Sequence, residues 1–351
     1  MKMNWKQLAI ALGLFLLGYF TFNGKLFAQS APPAPALEKT RIALAVGGKN
    51  LFYYLPLTIA EQLGYFKDEG LQVEISDFAG GAKALQAMIG GSADVVSGAY
   101  EHTINMQAKG QAITAFVLQG RAPQIVLGVS NKTMPNYKSI ADLKGKKIGV
   151  TAPGSSTSIM ASFVLAKGGL KPSDVSFVGV GAGAGAVAAF RSGQIDAMAN
   201  LDPVISMLEQ KNEMRVIADT RTLKDTQSVF GGPMPAATLY ASDAFLKKNP
   251  HTTQALTNAM VRALKWIQQA GPSDIIKVVP ESYQLGDRAL YLAAFMKVRE
   301  AMSPDGLFPA AGPATALKTL QTFEPDLAGK TFDLSKTYTN EFVLKADAKY
   351  K

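Results

Sequence analysis

The loop 151–157 (Thr-Ala-Pro-Gly-Ser-Ser-Thr) carries residue types suited to holding a small anion. An apolar strand leads into it and a helix follows. Gly154 lets backbone N–H groups face a ligand, and Ser155, Ser156 and Thr157 add hydroxyl donors. Free N–H groups and the helix dipole favour a carboxylate, sulfonate or phosphate at such a place. The alternative is ordinary N-capping of the helix by Ser155 or Ser156.

Two stretches 102 positions apart share one pattern of a Gly-rich turn, an apolar helix, a glycine and an aspartate that opens a strand. They are 81–96 and 183–199. Gly80 and Gly81 begin the first helix and can bring the backbone close to a ligand; the alternative is a tight turn. For Asp94 and Asp196, local capping or turn bonding is the favoured interpretation over a functional carboxylate pair.

Polar side chains follow the strand of the first repeated unit. Ser97, Tyr100, Glu101 and His102 lie beyond its carboxyl end, where open α/β sheets bind ligands. Tyr100 can stack or donate a hydrogen bond, and Glu101 can pair with a ligand amine or simply begin a helix. His102 beside Glu101 could suggest acid–base chemistry. The sequence offers no nucleophile or metal partner, so a surface or capping role is favoured for His102.

Three further residues are candidates for the same cleft. Tyr54 precedes Pro56, which suits a first helical turn, and would form a cleft wall or pack in the core. Asn200 and Asp202 end the strand of the second unit and mirror the segment 97–101.

Strands that alternate with helices predict an α/β protein. The chain is expected to cross between two lobes near residues 119–130 and 229–237. Residues 41–123 and 235–351 would then form lobe 1 and residues 124–234 lobe 2, joined by a two-strand hinge. Helices are predicted at about 56–66, 103–109 and 252–270, and a long strand at 124–130.

Composition excludes several classes of site. The 351 residues are 48% hydrophobic and 18% charged, include no cysteine and contain only two histidines, His102 and His251. Disulfides, thiolate catalysis, Cys-ligated metals and a His-rich metal site are therefore excluded, and no cofactor is expected. The basic residues are spread along the chain without interleaved aromatic residues, so no nucleic-acid partner is expected.

The first 31 residues are predicted to form a signal peptide and the start of a spacer. Lys2 and Lys6 precede an apolar run at residues 8–22, and cleavage is expected after Ala28 or Ala31. The alternative is an uncleaved membrane anchor, although the run is short for a full span. Export to the periplasm is the favoured interpretation.

Three segments resemble the nitrate/sulfonate/taurine-type solute-binding proteins of ABC importers, whose opening signature is shared by binders of thiamine-pyrimidine precursors. The matching segments are Leu-Pro…Val-Glu at 55–74, Asp-Leu-Lys-Gly-Lys-Lys-Ile-Gly-Val at 142–150 and Ala-Phe-Arg-Ser-Gly-Gln-Ile-Asp-Ala at 189–197. The likeness covers most of residues 41–270.

The resemblance implies a type II periplasmic-binding-protein fold that closes over one small molecule, and a monomer that delivers it to a membrane permease and its ATPase. By position it supports a set of cleft residues: Tyr54, Gly80, Gly81, Ser97, Tyr100, Ser155, Ser156, Thr157 and Asp202. Sulfonate binders of this family often place Trp before the Asp-Pro, where this chain has Leu201. Aliphatic sulfonate, taurine, nitrate, a small aromatic acid and a pyrimidine therefore all remain open.

Two other functions belong to different classes. Superfamily members that synthesise the thiamine pyrimidine resemble each other through a Cys-rich motif, which this chain lacks. A sensory ligand-binding module held at the membrane by residues 8–22 is the other alternative, and no signalling domain follows it in the sequence.

Overall fold

A computed structural model describes residues 35–350 of the chain. From Leu37 onward the chain forms one compact unit. The signal peptide predicted over residues 1–31 lies outside the described residues. Within residues 35–350, every helix is too short or too polar to cross a membrane.

The described residues form ten strands, which divide into two sheets. The strands are β1 (Arg41–Gly47), β2 (Gln72–Phe78), β3 (Val95–Ala99), β4 (Ile113–Leu118), β5 (Val126–Ser130), β6 (Lys147–Val150), β7 (Ser176–Gly179), β8 (Ala197–Asn200), β9 (Met214–Asp219) and β10 (Ala237–Ser242).

Helices connect and cover these strands. They are α1 (Leu55–Gln62), α2 (Tyr65–Asp68), α3 (Gly81–Ile89), α4 (Glu101–Ala108), α5 (Ser156–Lys167), α6 (Ala184–Ser192), α7 (Val204–Gln210), α8 (Leu223–Phe230), α9 (Asp243–Lys248), α10 (Pro250–Gln269), α11 (Pro272–Val278), α12 (Arg288–Val298), α13 (Gly312–Gln321) and α14 (Glu341–Lys349).

The two sheets are built to the same plan. The first has the order β2-β1-β3-β10-β4 and the second the order β7-β6-β8-β5-β9. In each, three parallel strands are followed by one antiparallel strand, β10 or β5, that pairs with the edge strand beyond it. We call each sheet, with the helices and loops joined to it, the first and the second lobe. The α/β prediction is confirmed, while the exact domain boundaries stay a prediction.

The repeated unit of the sequence is present in both lobes. Helix α3 leads to β3, and α6 leads to β8. The aspartates that open the two strands make equivalent bonds: Asp94 accepts the N–H of Ala43, and Asp196 accepts the N–H of Lys147. Both carboxylates therefore bond the backbone of the neighbouring parallel strand rather than their own turn.

Several predicted element bounds differ from the structure. The single helix expected at 56–66 is two helices, because Gly64 adopts a left-handed conformation with φ 75° and ends α1. The helix expected from residue 103 begins at Glu101. The strand expected from 124 begins at Val126, because Gln124 has φ 59° and cannot continue a strand.

The core is apolar and continuous in the first lobe. The long helix α10 buries the predicted face completely, with Leu256, Met260, Leu264 and Ile267 all inaccessible to solvent. It packs on α1, α2 and α14. This packing fixes the segment before α1, which carries the first candidate site residues.

Candidate functional site

Helices from the two lobes meet at their N-termini. Ser155 is the N-cap residue of α5, yet its side chain makes no capping bond to its own helix. Its Oγ instead accepts a hydrogen bond from the backbone N–H of Ala82, 3.0 Å away, in the first turn of α3. The N-capping alternative therefore does not describe Ser155: its hydroxyl serves the helix of the opposite lobe.

Three further contacts join the lobes around this point. His102 Nε2 lies 3.3 Å from the carbonyl oxygen of Gly154, and the side-chain amide of Asn50 donates to the carbonyl of Ala182 at 2.8 Å. The N–H of Phe52 approaches the carbonyl of Asp202 at 3.5 Å. The lobes are thus in direct contact along the predicted cleft.

Gly80 allows this close approach. A Cβ atom added there would lie 2.9 Å from both Ala152 Cβ and Ser155 Oγ. Real Cβ atoms essentially never come that close, so any side chain would push the lobes apart. The hydroxyl of Tyr54 is also close, 3.4 Å from where a Cβ on Gly81 would sit.

A cluster of tyrosines surrounds the carboxyl of Glu101. Glu101 is 2% exposed at the start of α4, and burial raises its pKa to about 7. Burial also raises the pKa values of Tyr53, Tyr54 and Tyr240 above their usual range, and the charge of Glu101 adds to each rise. The Ser156 hydroxyl opposes the rise at Tyr53, which places α5 of the second lobe beside this cluster.

His102 is held between two partners. Its Nδ1 lies 3.0 Å from the Tyr240 hydroxyl, on the side opposite the Gly154 contact. Burial lowers the pKa of His102 to about 4, so the ring is neutral at pH 7. It also lines a cavity of about 620 Å³ together with Ala82, Gly154 and Phe323. The surface role expected for His102 is not what the structure shows.

Other candidates make structural bonds inside one lobe. The hydroxyl of Ser97 accepts from the side-chain amide of Gln119, and the hydroxyl of Tyr100 bonds that of Thr337 while its ring packs on Phe308. The hydroxyl and the ring of Tyr100 are therefore both engaged in the interior of the first lobe.

The same holds in the second lobe. The hydroxyl of Thr157 bonds Thr151 at both the backbone N–H and the hydroxyl, and the amide of Asn200 donates to Gly181. Asp202 accepts two bonds from Ser206 and lies 3.5 Å from the Nη1 of buried Arg221.

Arg221 is the centre of a buried ion cluster. It also pairs with Glu209 and Asp219, both at 2.6 Å, so its charge is shared among three carboxylates. Burial raises the pKa of Asp202 despite the Arg221 charge. This cation is therefore fully engaged within the second lobe.

The structure thus brings together Tyr54, Gly80, Gly81, Glu101, Ser155 and Ser156, and it adds residues that the sequence did not single out. Tyr53 and Tyr240 border the same region, and of the two only Tyr53 carried a signal, as the neighbour of Tyr54 in a tyrosine doublet. Across residues 35–350, His, Asp and Glu side chains nowhere gather in a group of three that could hold a metal ion.

A family model described as "NMT1/THI5 like" matches residues 51–272, which is more than half of the chain. The chain belongs to this NMT1/THI5-like family. The match includes every candidate site residue from Tyr54 to Asp202.

Two curated proteins illustrate the range of relatives. YtlA of Bacillus subtilis, described as a candidate binding protein, is 25% identical over 82% of this chain and 85% of its own length. A yeast protein, the 4-amino-5-hydroxymethyl-2-methylpyrimidine phosphate synthase THI13 of Saccharomyces cerevisiae, is 26% identical over 61% of this chain. The alignment spans 63% of that synthase.

Solved structures confirm the fold. A protein from Bordetella bronchiseptica is 63% identical, with a TM-score of 0.89 over 90% of this chain and 99% of that one. The alkanesulfonate-binding protein SsuA from Xanthomonas axonopodis pv. citri, solved with MOPS, is 22% identical with a TM-score of 0.65 over 87% of this chain and 100% of that one. The predicted type II periplasmic-binding-protein fold is confirmed.

Proposed function

We propose that this protein is the solute-binding component of an ABC importer and takes one small molecule between its two lobes. The observation that carries the proposal is the Ser155–Ala82 bond, which brings two helix N-termini from separate sheets to one point. Such ends present free N–H groups and positive dipole ends. An acceptor or anionic group of a ligand is suited to bind there, as expected from the sequence.

The ligand acts by favouring the closed arrangement. The lobes are linked by the chain between β4 and β5 and between β9 and β10, and polar contacts join them at the helix N-termini. One buried apolar cluster also includes residues of both lobes, among them Val46 of the first and Val150 of the second. A molecule that contacts both lobes binds the closed state more tightly and shifts the population toward it. Tyr54, Gly80, Gly81 and Glu101 would be its partners in the first lobe, and Ser155 and Ser156 those in the second.

The partners follow from this role. In this role the protein would be a monomer in the periplasm that delivers its ligand to a membrane permease driven by an ATPase. The resemblance of residues 41–270 to importer receptors and the match to the candidate binding protein YtlA support it. The anionic ligand classes expected from the sequence, sulfonate, nitrate and taurine, belong to this proposal.

A ligand screen tests the proposal. The mature chain, residues 32–351, is unfolded and refolded to remove co-purified ligand, and its thermal unfolding is followed with sulfonates, nitrate, amino acids, aromatic acids and pyrimidines. A ligand at 100 times its dissociation constant adds about 2.7 kcal/mol of stability. Mass spectrometry of the released co-purified material supplies a second route. The absence of any ligand by both routes would contradict the proposal.

Enzymatic synthesis of a pyrimidine is the alternative that the yeast relative raises. The same screen separates the two functions when candidate ligands are recovered and analysed after incubation. A receptor returns its ligand chemically unchanged, whereas an enzyme returns a product. The Cys-rich motif expected of the synthases is absent from this chain, which favours the receptor.

A further inference from the structure

Two buried polar atoms in the cleft are left without partners. Among the described residues, Glu101 Oε2 has no hydrogen-bond partner, although Glu101 is only 2% exposed. The Tyr53 hydroxyl, equally buried, makes no hydrogen bond of normal geometry, and the Ser156 hydroxyl is the polar group beside it that lowers its pKa. The large majority of buried side-chain polar atoms in proteins are bonded. Two orphans in one cluster therefore indicate a place where a further molecule supplies the missing partners.

The surroundings of these atoms belong to both lobes. Tyr53 and Tyr54 come from the segment before α1, Tyr240 comes from β10, and Ser156 comes from α5 of the second lobe. Tyr54 extends the cluster to Gly81 at the N-terminus of α3. The orphaned atoms therefore border the site of the proposed function.

The charge around Glu101 is uncompensated. In the described part of the chain Glu101 makes no ion pair, and no neighbouring cation lowers its pKa. Two cations of the site loops are engaged elsewhere: Arg221 with three carboxylates and Lys49 with Glu61. A buried carboxylate without a cation is costly, and a ligand that brings a donor or a positive charge removes that cost.

We propose that Glu101 receives an N–H group of the ligand, so that the ligand has an amine, amidine or amino-heterocycle at one end and an acceptor or anionic group at the other. The second end lies at the N-termini of α3 and α5. This inference rests on the proposed function and narrows its ligand class. An ionised carboxylate only accepts hydrogen bonds, and a charge-assisted bond to it is about twice as strong as a neutral one.

This assignment separates the ligand classes left open by the sequence. Taurine, β-alanine and aminopyrimidines carry the required N–H group. Nitrate and simple alkanesulfonates have none, and they would place a second negative charge beside the Glu101 carboxylate. The first group is expected to bind and the second to be rejected.

The test compares molecules that differ by the N–H group alone. Ligand-detected NMR at millimolar concentration measures taurine against ethanesulfonate, β-alanine against propionate, and 2-aminopyrimidine against 2-methylpyrimidine. At least one N–H-bearing probe is expected to bind the refolded protein about 10- to 100-fold more tightly than its matched partner. In Glu101→Gln that preference should disappear, while Glu74→Gln, an exposed carboxyl on β2, should keep it.

The pH dependence of affinity gives a second measurement on the same ligand, because a cationic ligand that pairs with Glu101 releases the proton that this carboxyl holds below its pKa of about 7. The titratable groups around Glu101 are Tyr53, Tyr54, Tyr100, Tyr240 and His102, whose pKa values lie outside the range of pH 5.5 to 8. Because a cationic ligand needs ionised Glu101, its affinity should rise about 30-fold from pH 5.5 to pH 8. Glu101→Gln should abolish that rise.

A third variant tests the Tyr53 hydroxyl. Tyr53→Phe removes one orphaned atom without changing the shape of the ring, and it should weaken the N–H-bearing probe while Tyr65→Phe, on α2, should not. Equal binding of matched probes, unchanged binding in Glu101→Gln, or no N–H-bearing binder at 10 mM would overturn the inference. A ligand without N–H that closes the lobes would overturn it while leaving the receptor function intact.

Discussion

Glu101 and His102 are neighbours in the sequence whose protonation equilibria move in opposite directions on folding. Burial raises the pKa of Glu101 from 4.5 to about 7 and lowers that of His102 from 6.5 to about 4. Between pH 4.5 and 7 the folded protein keeps a proton on Glu101 that the unfolded chain has lost, so stability falls as pH rises. Between pH 6.5 and 4 the unfolded chain gains a proton on His102 that the folded protein lacks, so stability falls as pH drops.

The two effects are similar in size and overlap. Each pKa moves by about 2.5 units, which corresponds to about 3 kcal/mol at about 1.4 kcal/mol per unit. From about pH 4.5 to 6.5 the fall of stability with rising pH due to Glu101 cancels the rise due to His102. We therefore expect these two groups to add no net pH dependence to the wild-type stability in that window.

Glu101→Gln removes the contribution of Glu101 to the pH dependence of stability and leaves that of His102. Relative to wild type, its free energy of unfolding should rise by about 3 kcal/mol between pH 4.5 and pH 7.5. His102→Gln should show the opposite trend, gaining stability relative to wild type as pH falls from 6.5 to 4. Guanidinium unfolding of ligand-free protein at four pH values measures both.

The control for this experiment is Glu74→Gln, which changes an exposed carboxyl whose partner, Arg41, is equally exposed. Its stability should follow wild type at every pH. If the Glu101→Gln and wild-type curves also stay parallel, burial does not perturb Glu101 and the reasoning fails.

Three other variants test the contacts that hold the site. Ser155→Ala removes the bond to the Ala82 N–H and should raise the dissociation constant about fivefold by calorimetry, from a loss of about 1 kcal/mol; exposed Ser173→Ala should have no effect. Ser155→Asp should abolish binding of a ligand with an anionic end, and unchanged affinity with an intact fold would remove this loop from the site. Arg221→Met leaves three carboxylates without their cation and should cost about 3–5 kcal/mol in chemical unfolding, whereas Arg41→Met at the surface should stay within about 0.5 kcal/mol. Gly47→Ala would drive a Cβ into the backbone of Gly80 and Gly81, closer than real Cβ atoms come, so ligand binding and stability should both be lost. In the helical control Gly185→Ala, stability should instead rise by up to about 1 kcal/mol, and wild-type behaviour of Gly47→Ala would contradict the packing described.

The spacing of apolar residues and the positions of glycine and proline predicted most of the fold. The repeated pattern at 81–96 and 183–199 predicted two related units because a glycine turn, an apolar helix stripe and a short strand are all local properties. The predicted ends of helices and strands were wrong where a single backbone angle decided them, as at Gly64 and Gln124. Strand β9 and helix α8 were not predicted at all.

The site was only partly visible because its bonds are long-range. Nothing local to Ser155 shows that its hydroxyl bonds Ala82, 73 positions away, rather than its own helix. Likewise, Tyr100 looked like a cleft residue by sequence position, but its ring packs on Phe308, far along the chain. Glu101 was a candidate because it follows a strand. That its carboxyl lacks a hydrogen-bond partner is visible only in the folded structure, where Tyr53 and Tyr240 pack around it.

The placement of β10 also sets the order in which the molecule can be completed. Every strand of the second sheet has been synthesised once residue 219 is made, and its most widely separated pair, Val126 with Asp219, lies 93 positions apart. The corresponding pair in the first sheet, Val95 with Ala241, lies 146 positions apart. The first sheet cannot be completed at that stage, because β10 lies between β3 and β4 and bonds both. Until residue 242 is available, β4 has no neighbour to pair with, and α10 and α14 have not yet covered the sheet. The second lobe is therefore expected to fold first, and the first lobe, which closes the longer loop, to determine the overall folding rate.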